Sequence, residues 1–186
     1  ISSHESTAAY LDKIVSVTRL VTYTRATRQF GTLLPASEFV NAGIGPYLDF
    51  HSTSTVALLR PNKTFSGEST TLEIAGIKME LVFAPGETND QIFVWIPDKK
   101  VLLCADNFYK SFPNLYAIRG TPYRDVTHWV KSQDKMRFLR PEVLIPGHSR
   151  PISGSDRIYD TLTNYRDAIQ FVHDQTIRGI NKGLGP

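Results

Sequence analysis

The chain has 186 residues, of which 41% are hydrophobic and 11% aromatic, so it is long enough to bury one hydrophobic core. Its 21 basic and 18 acidic residues give a net charge of +3, and the basic residues are scattered, which argues against nucleic-acid binding. No run of 18 apolar residues occurs, so we expect a soluble protein without a transmembrane helix.

The first part of the chain predicts a helix followed by a loop and a strand. Apolar residues recur at helical spacing over residues 3–31, and Ser3 or Ser6 is suited to cap the start. Residues 33–49 contain several Pro and Gly and predict an irregular loop over a site or an interface. Residues 56–61 predict a short strand that stops at a proline, with a turn after it.

The middle of the chain predicts two successive strand pairs. Ala75-Gly76 is typical of a hairpin connection, and the Pro-Asp-Lys-Lys sequence that begins at Pro97 is typical of a solvated turn. Strands are predicted over residues 70–74, 78–83, 91–96 and 101–105.

Helices dominate the last part of the chain. Asp125 is predicted to cap a helix that runs to Arg137, and a short buried strand is predicted over residues 143–145. Ser155 is predicted to cap a long helix that ends just before Gly183. Short strands with helices on their flanks predict an α+β fold with a mixed sheet covered by helices.

Three potential metal ligands, Glu87, Asp106 and His148, each follow a short apolar run that predicts a buried strand. Each one taken singly is as well explained by an ordinary turn residue. Together they favour a divalent-metal site at one sheet edge, because carboxylate and imidazole ligands suit Zn²⁺ and similar ions. They are too few for a complete two-metal site.

A polar, aromatic loop follows Asp106. Asn114 and Arg119 in this loop offer an amide and a guanidinium that could clamp an anionic group such as sulfate, phosphate or carboxylate. The alternative is that Arg119 is an ordinary surface residue. The loop also carries aromatic residues that either line a channel for an apolar substrate tail or pack in the core: Phe108, Phe112, Tyr116 and Tyr123.

Cys104 is the only cysteine, which excludes an internal disulfide and a thiolate metal cluster. Its apolar surroundings predict a small buried hydrophobe rather than a ligand. His4 is expected to be structural or exposed, and His51 could face a pocket. Asn62-Lys63-Thr64 matches the glycosylation sequon and is compatible with secretion, but the pattern arises often by chance and leaves the compartment open.

The motifs A-P-G-E-T, C-A-D-N and P-G-H around these ligands resemble the second half of the metallo-β-lactamase superfamily. Most of that superfamily has histidine where this chain has Glu87. Glutamate there, with the later N-L-Y-A-I-R-G segment that contains Asn114 and Arg119, resembles the alkylsulfatase group. The helix motif that begins at His173, H-D-Q-T-x-R-x-x-N-x-G, resembles the same group, and the resemblance covers about residues 52–186.

The resemblance implies the second half of an αββα sandwich over residues 1–153, and a helix over 154–186 that closes the domain and leads toward a dimerisation domain. It implies two Zn²⁺ ions, held in part by the three ligands named above, with Asp106 as the bridging and catalytic carboxylate. It also implies that Asn114, Arg119 and Tyr116 bind the substrate, with Arg119 catalytic as well.

Two departures from the family pattern shape the expectation. Alkylsulfatases usually carry glutamate at the bridging position, whereas Asp106 follows the wider superfamily. The H-x-H-x-D-H motif, which supplies most ligands of both metals, is absent from this sequence. We therefore expect an N-terminal segment or a partner chain to supply it, because an isolated half would expose the inner face of the sandwich. The family also implies a homo-oligomer of the full protein.

The expected function is zinc-dependent hydrolysis of small anionic sulfate esters by the combined halves. One alternative is another hydrolase of the same fold, acting on lactones, thioesters or phosphoesters. The other alternative is a non-catalytic half-domain that serves assembly or binding.

Overall fold

The computed structural model describes residues 1–35, 37–39, 53–55, 57–116 and 123–185. His51, Arg119 and most of the loop predicted over 33–49 therefore lie outside the described residues. The elements in chain order are β1 (Ser2–His4), α1 (Glu5–Val15), α2 (Arg19–Gln29), β2 (Lys63–Phe65), β3 (Ser69–Ile74), β4 (Ile77–Phe83), β5 (Ile92–Ile96), β6 (Val101–Ala105), α3 (Val126–Phe138), β7 (Val143–Pro146), β8 (Ile152–Ser153) and α4 (Ser155–Asn181).

Six strands form one mixed sheet in the order β3-β4-β5-β6-β7-β8. Neighbouring strands are antiparallel except β6 and β7, which are parallel. Consequently β4, β6 and β7 all end at the same edge of the sheet, as the sequence predicted. The α+β class with a mixed sheet is confirmed.

One face of the sheet is covered by α3 and α4 and forms the core. Alternate residues of β5 and β6 point into it, because successive side chains of a strand lie on opposite faces. The indole of Trp129 on α3 packs there against sheet residues and against α4. The fully buried members of this core include Phe93, Leu102, Cys104, Trp129, Met136, Leu144, Ile158, Leu162 and Ile169.

The opposite face of the sheet is also apolar but only partly buried. The register places Leu81 beside Val94, Val94 beside Leu103, and Leu103 beside Ile145, so the four side chains share this face. Leu81 is buried, whereas the other three keep part of their surface exposed. This face has the composition of an interior surface rather than of a solvated one.

The long helices begin and end with recognisable caps. The Asp125 carboxylate accepts hydrogen bonds from the backbone N–H groups of Thr127 and His128 at 2.9 and 3.1 Å, which confirms the predicted cap of α3. The cap of α4 is Gly154 rather than the predicted Ser155, which is the first helical residue. Gly183 follows α4 with φ +72°, the left-handed conformation expected of a C-terminal glycine.

The single helix predicted over residues 3–31 is wrong. The structure has two helices that are interrupted between Val15 and Arg19. At this break the hydroxyls of Ser16 and Thr18 donate to the backbone carbonyls of Asp12 and Lys13, at 2.5 and 3.3 Å. Such side-chain bonds compete with the helical ladder, which accounts for the interruption.

The start of the chain is a strand instead of a helix. β1 pairs in parallel with β2, where the sequence predicted only a turn. His4, not Ser3 or Ser6, caps α1 by accepting from the Ser6 N–H at 3.3 Å, and its buried ring stacks on Phe83 with centroids 4.0 Å apart. Of the two alternatives for His4, structural or exposed, the structural one is confirmed.

Two further differences concern strands. Residues 57–61, the described part of the strand predicted over 56–61, carry no strand, and Arg60 instead pairs with Asp12 at 2.5 Å. β8 was not predicted, because two residues are too few for a periodic signal. Within the described ranges, no helix combines the length and the apolar run needed to cross a bilayer.

Candidate metal and anion site

The three predicted ligands come from the turns that follow β4, β6 and β7, and the structure brings them into contact. The Glu87 and Asp106 carboxyl groups lie within hydrogen-bonding range of each other. His148 Nε2 lies 3.3 Å from Asp106 Oδ2. The side chains therefore form a row with Asp106 in the middle. His148 is 70% exposed at its open end.

Arg124 closes the other end of this row, and the sequence did not point to it. Its side chain is only 4% exposed, and its Nη1 lies 3.0 Å from Glu87 Oε1. The same nitrogen donates a hydrogen bond to the backbone carbonyl of Asn114. The only local signal was an arginine directly before the helix cap Asp125; its pairing with Glu87, 37 positions earlier in the numbering, is a tertiary contact.

The environment of Glu87 opposes its negative charge. Burial raises the pKa of the Glu87 carboxyl, and the neighbouring Asp106 carboxyl raises it further, while Arg124 acts in the opposite direction. Two carboxylates in contact repel each other unless a proton or a cation lies close to both. Arg124 lies beside Glu87 and His148 lies beside Asp106, and a cation held between the two carboxylates would relieve their repulsion further.

A buried polar network fixes the turns that carry the two carboxylates. The side-chain amide of Asn107 donates to the carbonyl of Ala84 at 2.9 Å. The backbone carbonyl of Asn107 accepts from Trp129 Nε1 at 3.0 Å and also from the side-chain amide of Gln133. Both donors lie on α3. The helix therefore supports the turn after β6 directly, and Asn107 links that turn to the turn after β4.

Two further contacts complete this support. Ser132 Oγ donates to the carbonyl of Pro85 at 2.7 Å. Gln91, oriented with its side-chain oxygen toward the next turn, accepts from the N–H groups of Asp106 and Asn107 at 3.1 and 2.8 Å. Gly86 has no room for a side chain, because a Cβ there would overlap the Asn107 amide and lie 2.9 Å from the Trp129 ring.

Asn114 is held at its backbone and its side chain. Its N–H donates to Tyr109 Oη at 3.1 Å, and its side-chain oxygen accepts from the N–H of Tyr116 at 3.1 Å. Arg119, the other member of the predicted clamp, lies outside the described residues.

The aromatic residues of the loop divide into two groups. Phe108 is buried, and its ring packs against Tyr165 with centroids 5.1 Å apart. Phe112, Tyr116 and Tyr123 are exposed, so packing in the core is the wrong interpretation for these three. They remain candidates for contact with an apolar ligand.

Cys104 is a free, fully buried thiol on β6, as predicted. Burial raises its pKa to about 12, so the thiolate form that binds metals is strongly disfavoured.

Glu87, Asp106 and His148 have the residue types expected on one side of a metal site. Two carboxylates and one imidazole are ordinary ligands of Zn²⁺ and related ions. In the part of the chain that the structure describes, however, no three His, Cys, Asp or Glu side chains form a group that could hold a metal ion. Glu87, Asp106 and His148 therefore do not make a metal-binding group by themselves, and their role as ligands stays a prediction.

The chain is similar to curated alkylsulfatases. It is 38% identical over 148 residues to a linear primary-alkylsulfatase of Pseudomonas sp., covering 79% of this chain and 27% of that protein. It is 34% identical over 165 residues to an alkyl/aryl-sulfatase of Saccharomyces cerevisiae, covering 86% of this chain and 25% of that protein. The chain thus spans about a quarter of the length of these relatives. No protein-family model matches it.

Solved structures show the same fold. The stereoselective inverting sec-alkylsulfatase of Pseudomonas sp. superposes with a TM-score of 0.82 at 23% identity, over 98% of this chain and 30% of that one. A metallo-β-lactamase family protein of Thermus thermophilus superposes with a TM-score of 0.58 at 18% identity, over 91% of this chain and 52% of that one. The fold expected from the sequence motifs is therefore confirmed.

Proposed function

Over the region that it spans, this chain is a relative of the alkylsulfatases and has the metallo-β-lactamase fold, and from that relationship we propose that the complete protein hydrolyses sulfate esters. The observation that carries the proposal is the contact of Glu87 with Asp106 and of Asp106 with His148 at one sheet edge. Ligands of one metal site must lie close together, and these three side chains meet that requirement in pairs.

In this proposal Glu87, Asp106 and His148 would hold one side of a site for two Zn²⁺ ions, and Asp106 would be the carboxylate that serves both. Bound divalent ions would supply an activated water at neutral pH, because they lower the pKa of that water to about 7. Asp106 is the catalytic carboxylate of the chain. The fixed turns around Asn107 keep it in place before substrate arrives.

The loop after β6 binds the anionic end of the substrate. Asn114 presents its amide there, and Arg119 offers a planar guanidinium that matches sulfate oxygens and offsets charge on the departing sulfate. Tyr116 lies beside Asn114 and contacts the substrate next to the sulfate. A small ester with one sulfate and an apolar remainder fits this combination of an anion clamp and exposed rings.

A segment or chain that carries H-x-H-x-D-H completes the site and covers the second face of the sheet. The half-exposed apolar residues on that face support this part of the proposal, because a stable protein rarely leaves such a surface in water. The full protein assembles as a homo-oligomer, with α4 leading from the catalytic domain toward the region that dimerises.

The test uses the complete protein with a medium-chain alkyl sulfate as substrate and with metal analysis of the purified enzyme. We expect about two zinc ions per site and hydrolysis that is abolished by Glu87→Ala. Glu73→Ala, which changes an exposed glutamate of β3, is the matched control and should leave both unchanged. Unchanged hydrolysis in Glu87→Ala would refute the ligand assignment.

A second comparison separates sulfate esters from neutral substrates. Arg119→Ala should reduce hydrolysis of alkyl sulfates far more than hydrolysis of neutral lactones or thioesters, because only the sulfate needs a counter-charge. An equal loss for both classes would favour a different hydrolase. A complete protein that binds no metal would favour the non-catalytic half-domain.

A further inference from the structure

Arg124 joins two parts of the site that the proposed function treats separately. Its Nη1 lies 3.0 Å from Glu87 Oε1, and the same nitrogen donates to the carbonyl of Asn114. Glu87 is the proposed metal ligand in the turn that follows β4. Asn114 belongs to the anion-binding loop that follows β6. One nitrogen atom therefore fixes the ligand carboxylate and the backbone of the loop relative to each other.

The surroundings of Arg124 make this bridge hard to replace. The side chain is only 4% exposed, whereas the Glu87 side chain is 20% exposed. A guanidinium removed from water to this extent needs acceptors within the protein. Its Nε is buried and has no hydrogen-bond partner among the described residues, whereas Nη1 makes the two contacts named above.

Other parts of the site do not provide the same connection. The network around Asn107 ties the turn after β4 to the beginning of the loop, but it ends at residue 107. Asn114 lies seven positions later, where its own contacts are with Tyr109 and Tyr116 of the same loop. Arg124 is thus the contact in the described residues that reaches from Glu87 to the middle of the loop.

We propose that Arg124 is a positioning residue that holds Glu87 and the Asn114 segment in one arrangement, so that metal retention and sulfate recognition both depend on it. This inference rests on the proposed function, because it takes Glu87 as a metal ligand and Asn114 as a sulfate ligand. In this proposal Arg124 acts through these two residues and is itself a ligand of neither the metal nor the sulfate. Neighbours that orient metal ligands commonly change metal affinity by about 10- to 100-fold when they are replaced.

The test measures binding rather than turnover in the complete protein. Arg124→Gln removes the charge, and Arg124→Lys keeps it but lacks the planar fork. Zinc affinity is measured by competition with a chelator, and inorganic sulfate is titrated calorimetrically into the zinc-loaded protein. We expect Arg124→Gln to weaken both affinities by at least about tenfold, with Arg124→Lys between it and the unmodified protein.

Arg137→Gln is the matched control. Arg137 on α3 is also largely buried and pairs with Asp134 at 2.8 Å, so its replacement also removes a largely buried ion pair without touching either turn of the site. Both affinities should stay within about twofold in this variant. If Arg124→Gln fails to fold, Arg124→Lys is compared with Arg137→Gln instead. Only Arg124→Lys should weaken both the zinc affinity and the sulfate affinity.

A double-mutant cycle tests whether Arg124 acts through the loop. Arg124→Gln should weaken sulfate binding about tenfold in the otherwise unmodified protein and less than about twofold when Asn114→Ala is already present, because residues that share one interaction are not additive. Additive effects, or zinc and sulfate affinities in Arg124→Gln that match the Arg137→Gln control, would overturn the inference. If the variant gives such a result while the unmodified protein binds zinc and hydrolyses alkyl sulfate, the inference about Arg124 fails and the proposed function stands. An unmodified protein that does neither refutes both.

Discussion

The side-chain amide of Asn107 donates to the carbonyl of Ala84 across 2.9 Å and ties the turn after β6 to the turn after β4. Both residues are completely buried. Glu87 and Asp106 lie on these two turns, so the distance between two mutually repelling carboxylates is set by a neutral amide beneath them. Trp129 and Gln133 hold the same asparagine from α3. The site is therefore supported by the helical layer.

Replacing this amide should destabilise the protein. Asn107→Ala leaves the carbonyl of Ala84 without its donor in the interior, and an unsatisfied buried group costs about 1–3 kcal/mol in the free energy of unfolding. Urea denaturation of the complete protein measures this loss. Asn164→Ala, at an exposed position of α4, is the control and should change the free energy by less than about 0.5 kcal/mol. Equal effects in the two variants would show that the amide does not support the turns.

Gly86 packs against the same Asn107 amide, so adding a side chain there should destabilise the protein. A Cβ there would overlap the side-chain amide of Asn107 and crowd the Trp129 ring, so Gly86→Ala must displace one of them at a cost of about 1–3 kcal/mol. Gly179→Ala is the opposite case, because a Cβ there meets nothing within 4 Å and α4 gains helix propensity. It should raise the free energy of unfolding by about 0.5–1 kcal/mol. Thermal unfolding of both variants should therefore shift in opposite directions; a shift in the same direction would contradict the packing described for Gly86.

The sequence predicted the features that depend on local chemistry. The Ala75-Gly76 connection has both residues at positive φ, as a tight hairpin requires, and Asp125 caps α3. The gathering of Glu87, Asp106 and His148 at one edge was also predictable, because each follows a strand with the periodicity of a buried sheet. Local sequence preferences for turns, caps and strands are seen in the folded protein when the tertiary structure is compatible with them.

The features that were missed depend on contacts between distant parts of the chain. β1 forms only because β2 pairs with it about 60 residues later, and three residues show no periodic pattern of their own. Arg124 was missed for a related reason: an arginine in a polar segment normally predicts a solvated side chain. Its burial follows from the position of Glu87 on another turn, which the local sequence does not encode.

The cap of α3 predicts a pH-dependent contribution to stability. Hydrogen bonds from Thr127 and from the N–H of His128 hold the pKa of Asp125 below its usual value of 3.8. A depressed folded-state pKa means that this stabilisation is present above pH 3.8 and is lost as the pH falls through the folded value. Asp125→Ala should therefore lower the free energy of unfolding by about 0.5–2 kcal/mol at pH 7.

The difference between Asp125→Ala and the unmodified protein should shrink as the pH falls below 3.8, and urea titrations at several pH values measure it. Asp125→Asn is the control, since asparagine also caps helices but does not titrate. It should retain most of the stability at pH 7. A difference for Asp125→Ala that stays constant down to the acid limit would show that the carboxylate charge contributes nothing to the cap.

The second face of the sheet gives a direct test of what covers it. Leu103 lies beside Val94 and Ile145 on this face and is partly exposed in the chain alone. If another segment packs there in the complete protein, Leu103→Ala removes a core side chain and should cost about 2–5 kcal/mol. Ile77→Ala, at an exposed position near the hairpin, should cost less than about 1 kcal/mol. Urea denaturation of both variants in the complete protein makes the comparison. A small cost for both would mean that the face stays in solvent, and the proposal that a second half completes the sandwich would then fail.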